Sequence, residues 1–248
     1  HGHLDHCGRL PLLAKAGYRG PVLCTEATRE IAALILRDSA HVQEQDLNRT
    51  NRRRERAGQE PLEPLYTAAD VEAILTQFRA VPYGERLTVA PGIEARFVDA
   101  GHLIGSASIE LLVHESGRRR QVVFSGDLGR SNAPLMRDPE VFRKADVVVM
   151  ESTYGDREHK PLDGTVAEFE AIVADAVARH SKILVPTFAV GRAQLMLYLL
   201  ALMFRNRVVP TFPVFIDSPM AIEATRICER HLDLYDEEFQ ALQRQKPL

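Results

Sequence analysis

The 248-residue sequence has no tryptophan, only three cysteines and no unbroken apolar run long enough to cross a bilayer. Nor does charge of one sign dominate: 31 Lys and Arg against 34 Asp and Glu leave a net charge of −3. Each shortage excludes something. Cys7, Cys24 and Cys228 are an odd, scattered set without C-x-x-C spacing, which argues against a disulfide scaffold or a Cys-type zinc finger and for a reducing, cytoplasmic setting. A membrane span needs about 20 consecutive apolar residues. The longest apolar stretch, residues 195–204, reads as a buried helix, so no membrane partner is expected. The near-neutral balance predicts no bulk affinity for nucleic acid; any such binding has to come from a local patch. What is present, 45% hydrophobic and 26% charged residues, suits one large or two smaller globular domains.

The first residue is His1, already inside a histidine motif, and residues 243–248 are polar with one proline. The segment is therefore expected to be internal to a longer protein. Along it, residues 8–16 read as a short helix and 21–24 as a buried strand. Thr25 caps a helix expected through Arg37, with Ile31, Leu34 and Leu36 near helical spacing. A polar stretch, 38–64, carries Arg49, Arg52, Arg53, Arg54 and Arg56. Thr67 and Asp70 have capping-box spacing ahead of Val71, Ile74, Leu75 and Phe78. Branched runs at 87–89, 93–98, 108–113, 121–124 and 147–150 read as strands separated by turn residues. From Pro161 helix and strand alternate: a helix opened by Thr165 and Glu168, a strand at 182–186, a helix at 191–204, a strand at 212–216 and a helix at 219–230. That alternation implies a parallel sheet covered by helices.

The densest chemistry is the opening, His1-Gly2-His3-Leu4-Asp5-His6, with four potential metal ligands in six residues. In an extended segment alternate side chains share a face, so His1 and His3 can grip one ion while Asp5 and His6, at a turn, face a second. Imidazole and carboxylate are the ligands zinc uses where it keeps a position open for water. A uniform tag or surface histidine run would have no acid between its histidines and would not lead into a helix. His102, in Gly101-His102-Leu103-Ile104-Gly105-Ser106-Ala107, and Asp127, in Ser125-Gly126-Asp127-Leu128-Gly129, each sit between glycines that let backbones approach closely. Alone they would pass as turn residues; with the opening they read as further ligands.

These three motifs resemble the second, third and fourth motifs of metallo-β-lactamase-fold hydrolases. Glu151-Ser152-Thr153-Tyr154-Gly155-Asp156, the segment 186–194 and the segment 215–221 are similar to the β-CASP branch, which contains RNA-processing nucleases. The resemblance implies an αββα four-layer metallo-β-lactamase sandwich, incomplete at both ends, over residues 1–156. Part of a parallel-sheet α/β β-CASP domain would follow over 157–248. It further implies two Zn²⁺: His1, His3 and His102 on the first, Asp5 and His6 on the second, and Asp127 bridging. The C-terminal metal-ligand histidine of the family and its two late β-CASP motifs have no counterpart in this chain. The implied reaction is hydrolysis of RNA phosphodiester bonds by a hydroxide held between the metals, with Asp5 both ligating and orienting it. Mn²⁺ would also suit this nitrogen and oxygen set. Glu151, the first β-CASP acid by resemblance, is expected behind the ligands, orienting a metal-site histidine.

Arg192, at a helix start, reads either as a phosphate contact or as a salt-bridged arginine at a plain helix start. Ser106 and Ser125, beside ligands, either contact phosphate or cap turns. Ser218 reads as a helix N-cap first and an RNA contact second. The arginine cluster at 49–56 either touches RNA backbone or is a solvated face, since Glu44, Asp46, Glu55 and Glu60 partly neutralise it. Cys7 reads as a packed residue, and His41, His114, His159, His180 and His231 as surface or structural. A DNA-processing nuclease of the same branch, another hydrolase on the fold and a non-catalytic RNA-binding subunit are the rival readings. A homodimer is an allowed assembly.

Overall fold

The computed structural model describes residues 1–158 and 160–245, so His159 and residues 246–248 lie outside the described residues. Two short helices, α1 (Leu4–Cys7) and α2 (Leu10–Lys15), precede β1 (Val22–Cys24), α3 (Glu26–Arg56), α4 (Ala68–Leu75) and β2 (Phe78–Ala80), which pairs parallel with β1. Thr25 caps α3 by accepting the Thr28 N–H, and Thr67 with Asp70 completes the capping box that the sequence spacing predicts. Phe78, expected on the apolar face of α4, instead opens β2.

The largest departure from expectation is the length of α3, which continues past Arg37 to Arg56. Apolar periodicity fades beyond Ala40 because the helix leaves the core there, not because it ends. Residues 41–56 are mostly good helix formers with exposed side chains, and Asp46 lies 3.6 Å from Arg49 at i,i+3 spacing.

β3 (Arg86–Ala90), β4 (Ile93–Asp99), β5 (Ala107–Glu115) and β6 (Arg118–Phe124) form an antiparallel meander, and β7 (Val147–Val149) adds in parallel beside β6. Side chains alternate along β5: Ser108, Glu110 and Leu112 are buried, whereas Ala107, Ile109 and Leu111 pack with Ala95 and Phe97. The Glu110 carboxylate accepts from Arg96 Nε at 2.7 Å and Gln121 Nε2 at 2.6 Å, with Arg86 Nη2 3.2 Å away, so this buried charge is compensated. Register matters most. Asp99 pairs with Ala107 and Phe124 with Ile109, while β7 runs alongside β6. The ends of β4, β6 and β7 and the start of β5 therefore share one end of the sheet. The loops carrying His102, Asp127 and Glu151 all leave from that end.

The later region holds α5 (Leu162–Ala178), α6 (Arg192–Arg205), α7 (Pro219–Arg230) and α8 (Glu237–Gln245). Here α5 begins at Leu162, not at a Thr165 cap; the Thr165 hydroxyl lies inside the first turn and donates back to the Pro161 carbonyl at 3.0 Å. The segments 182–186 and 212–216 form no ladder among the described residues, and Leu184 and Phe215 are 92% and 87% exposed. An apolar run is strand-like only where another strand receives its N–H and C=O groups. α7 packs on α3: Ala27 and Ile31 meet Ala224, Ile227 and Cys228, and Leu103 and Ile104 of the His102 loop join the same cluster.

Candidate metal centre

The opening motif splits as its residues require. His3 is extended (φ −65°, ψ 148°) and its carbonyl accepts the N–H groups of His6 and Cys7, so α1 starts at once and takes Asp5 and His6 off the extended segment, while the His6 ring stays against His1 at 4.0 Å between centroids. His1 Nε2 lies 3.0 Å from His3 Nδ1, and His102 Nε2 lies 3.3 Å from the same Nδ1. Asp127 Oδ2 is 3.4 Å from His1 Nε2 and 3.5 Å from His102 Nε2. Its other oxygen, Oδ1, is 3.1 Å from His6 Nε2, which in turn lies 3.5 Å from Asp5 Oδ2. Two convergent groups result: His1, His3, His102 and Asp127, and His1, Asp5 and His6.

Ligand atoms held about 2.0–2.1 Å from one zinc at tetrahedral angles lie roughly 3.3–3.4 Å apart. The separations of 3.0 to 3.5 Å in the first group match such edges. Burial lowers the pKa of His3 and His102 most; neighbouring histidines oppose the protonated form of each as well, while carboxylates favour it. The net result favours neutral imidazole, the form with a lone pair to give a cation.

The loops are held by main chain. Ser106 Oγ accepts from the N–H groups of His102 and Leu103 at 3.1 and 3.2 Å. Thr25 and Thr28 both donate their hydroxyls to the Gly105 carbonyl at 2.7 Å, tying the His102 loop to the first turn of α3. Gly105 has φ +80°, and a Cβ there would lie 2.6 Å from the Thr28 nitrogen. Gly129 crosses the His102 loop so closely that a Cβ would sit 1.9 Å from the Gly101 oxygen, and its N–H donates to the Ala100 carbonyl. Tyr83 Oη donates to the Ser106 carbonyl at 2.7 Å, and Asp99 Oδ1 accepts the Gly101 N–H at 2.8 Å. Sequence reading missed Thr28, Tyr83 and Asp99 as positioning residues. Asp99, three residues before His102 at a strand end, carried the one usable signal.

Residues 1–187 match the metallo-beta-lactamase superfamily, and residues 193–248 match the Beta-Casp domain. The chain belongs to the metallo-β-lactamase superfamily, in its β-CASP branch. It is 39% identical over 241 residues to "Ribonuclease TTHA0252" of Thermus thermophilus, covering 97% of this chain and 50% of that protein. It is 31% identical over 231 residues to "Transcription termination factor FttA" of Methanococcus maripaludis (92% of this chain, 33% of that protein) and 32% identical over 250 residues to the Methanosarcina mazei protein of that name (99% and 36%). The chain thus spans about half the length of the Thermus relative and about a third of the archaeal ones. Superfamily membership implies a divalent cation, and the two His/Asp groups suit one in chemistry and spacing. No helix among the described residues is long and apolar enough to cross a membrane.

Other site expectations of this metallo-β-lactamase chain meet the structure unevenly. Ser106 is fully buried and its Oγ is engaged by the His102 loop, so it holds that loop's backbone. Ser125 is also buried; its Oγ donates to the Gly126 carbonyl and accepts the Glu151 N–H at 3.0 Å. Glu151 takes the Leu128 N–H at 2.7 Å, not an imidazole, and so holds the residue after Asp127. Burial works to raise its pKa, but the Leu128 N–H, Thr153 and the nearby His102 outweigh that and hold the carboxyl below its usual range. Ser218 caps α7 by accepting the Ala221 N–H at 3.1 Å. Arg192 is exposed at the start of α6, its guanidinium 5.8 Å over the Phe188 ring. Burial pushes the Cys7 thiol up to about 11, in keeping with a packed residue. His231 meets Glu30 at 2.8 Å and is structural.

Proposed function

We propose that this chain carries most of a dinuclear zinc centre that hydrolyses RNA phosphodiester bonds. The observation that carries the reading is Asp127, whose two oxygens face different imidazoles, Oδ2 towards His1 and His102 and Oδ1 towards His6. His1, His3 and His102 would hold one cation, Asp5 and His6 the other, with Asp127 shared. Bound there, the cations supply Lewis acidity towards a phosphate and acidify a water towards neutral pH.

The chain's own residues have separate tasks. The half-buried His3 and His102 offer lone pairs because they stay neutral. Asp5, with a side chain 75% exposed beside His6, orients the attacking water from the solvent side. Ser106, Ser125 and Glu151 keep the two ligand loops in register. Arg192 and Ser218 receive RNA phosphates; the Ser218 oxygen already accepts a backbone N–H, so its hydroxyl proton is the group left to donate. RNA as the substrate is supported by the names of the relatives, a ribonuclease and transcription termination factors. The three buried, free cysteines fit a reducing cytoplasm.

The test is metal analysis and RNA cleavage by the full-length protein beside its Asp5→Ala variant. Stoichiometric zinc and a loss of cleavage by about 10²–10⁴-fold in the variant are expected. Zinc bound with no cleavage would assign a binding subunit instead, and cleavage confined to DNA would reassign the substrate.

A further inference from the structure

The arginines near the end of α3 divide by helix geometry. Arg49, Arg52, Arg53 and Arg56 fall at i, i+3, i+4 and i+7, a single stripe about 100° wide. Arg54 lies on another face, where its Nε donates to the Glu60 carbonyl at 2.7 Å. Asn51, on that same far side, exchanges two hydrogen bonds with the main chain of Leu62 at 2.9 and 2.7 Å. The returning segment therefore packs against the back of the helix and leaves the stripe uncovered. All four stripe arginines are exposed. Among the described residues only Arg49 has an ion-pair partner, Asp46 at 3.6 Å, and Arg52, Arg53 and Arg56 make no side-chain hydrogen bond.

A solvated helix end is the plain account, and cations do favour a helix C-terminus. That effect fades beyond the last turn, which holds Arg53, Arg54 and Arg56 but not Arg49 or Arg52. It also does not explain the common face, on which Asp46 is the one acid paired with an arginine among the described residues. Three unpaired guanidiniums, with a fourth in Arg49 that only Asp46 approaches, at 3.6 Å, match a string of phosphates, each able to take a two-pronged contact.

From this geometry we infer that the outward face of α3 around Arg49, Arg52, Arg53 and Arg56 is a track for the sugar-phosphate backbone of RNA, remote from the metal centre. The inference rests on the ribonuclease reading for its choice of polyanion. The first turn of α3 is fastened to the His102 loop through Thr25 and Thr28. At 1.5 Å per residue the stripe lies roughly 40 Å further along the axis. At about 3.4 Å per stacked nucleotide, an RNA must run on the order of 12 nucleotides to touch both. The track thus selects long substrates over short ones.

The experiment measures RNA binding by the full-length protein in an Asp5→Ala background, so that the RNA stays intact, across a salt series. Replacing all four arginines by glutamine, a good helix former, should lower the slope of log affinity against log salt by nearly 3 for an RNA of about 30 nucleotides, at about 0.7 per lost phosphate contact. A tetranucleotide should bind the two proteins alike. Replacement of all four by lysine should retain most of the slope, and neutralising Arg118 and Arg120 at the exposed β5–β6 hairpin should leave it unchanged. An unchanged slope in the glutamine variant, as for a stripe that serves an acidic protein, overturns the inference alone. So does an equal loss from the hairpin variant, since that is bulk charge. Absence of RNA binding by every version overturns both the inference and the ribonuclease reading.

Discussion

The loop that carries His102 and the segment 182–188 are both short, apolar and next to a motif, yet they end differently. In the loop, Leu103 and Ile104 are 2% exposed, pressed against α3 and α7, and the backbone is fixed by Ser106, Thr25, Thr28 and Tyr83. In the segment, Leu184 is 92% and Phe188 72% exposed, with no ladder among the described residues. The contrast teaches that apolar content does not order a stretch of chain. Groups within reach that bind its main chain and cover its side chains do.

The comparison can be broken most sharply at Ile31, fully buried between the His102 loop and α7. Ile31→Ala should cost about 3 kcal/mol in urea denaturation. A cost under about 1 kcal/mol would mean that the loop is not held by this core. Next in size, Thr25→Ala removes both the α3 cap and one of two hydroxyls on Gly105, and should cost about 1–2 kcal/mol while weakening retention of a divalent cation against a chelator.

A smaller effect lies in acid. Burial works to raise the Glu30 pKa, but hydrogen bonds from Arg230 and His231 overcome it and hold the carboxyl below its ordinary value. The sign follows: this tie between α3 and α7 contributes fully above the unfolded carboxylate value of about 4.3 and is lost as pH falls through the lower folded value. Glu30→Gln should therefore flatten the fall in denaturation midpoint below about pH 4.5; an unaltered acid limb would show that Glu30 carries none of it. Smallest of all, Leu184→Ser should change stability by less than about 0.5 kcal/mol, and a larger loss would show that the segment is covered after all.

The motifs whose side chains converge were legible because their chemistry is local: a histidine pair two apart, an acid and histidine on one helical turn, and glycines where loops cross. Thr67 and Ser218 announced their caps for the same reason, each needing only an N–H three residues on. Helix α3 was misjudged because its apolar stripe ends where its contact with the core ends, while its hydrogen bonds continue. Segments 182–186 and 212–216 were read as strands from composition, though pairing depends on a neighbour that composition does not name. Ser106 was left open between phosphate and turn, and Glu151 was expected on a histidine, since sequence shows adjacency to a motif and not whether an oxygen is already taken by a backbone N–H.

Thr25, Thr28, Glu30 and Ile31 lie within the first two turns of one rod, so three separate attachments, to the His102 loop, to α7 and to the shared core, open together or not at all. Amide hydrogen exchange there should follow a single cooperative unit, with the slowest protons at 28–32 and those of 182–188 exchanging without regard to it.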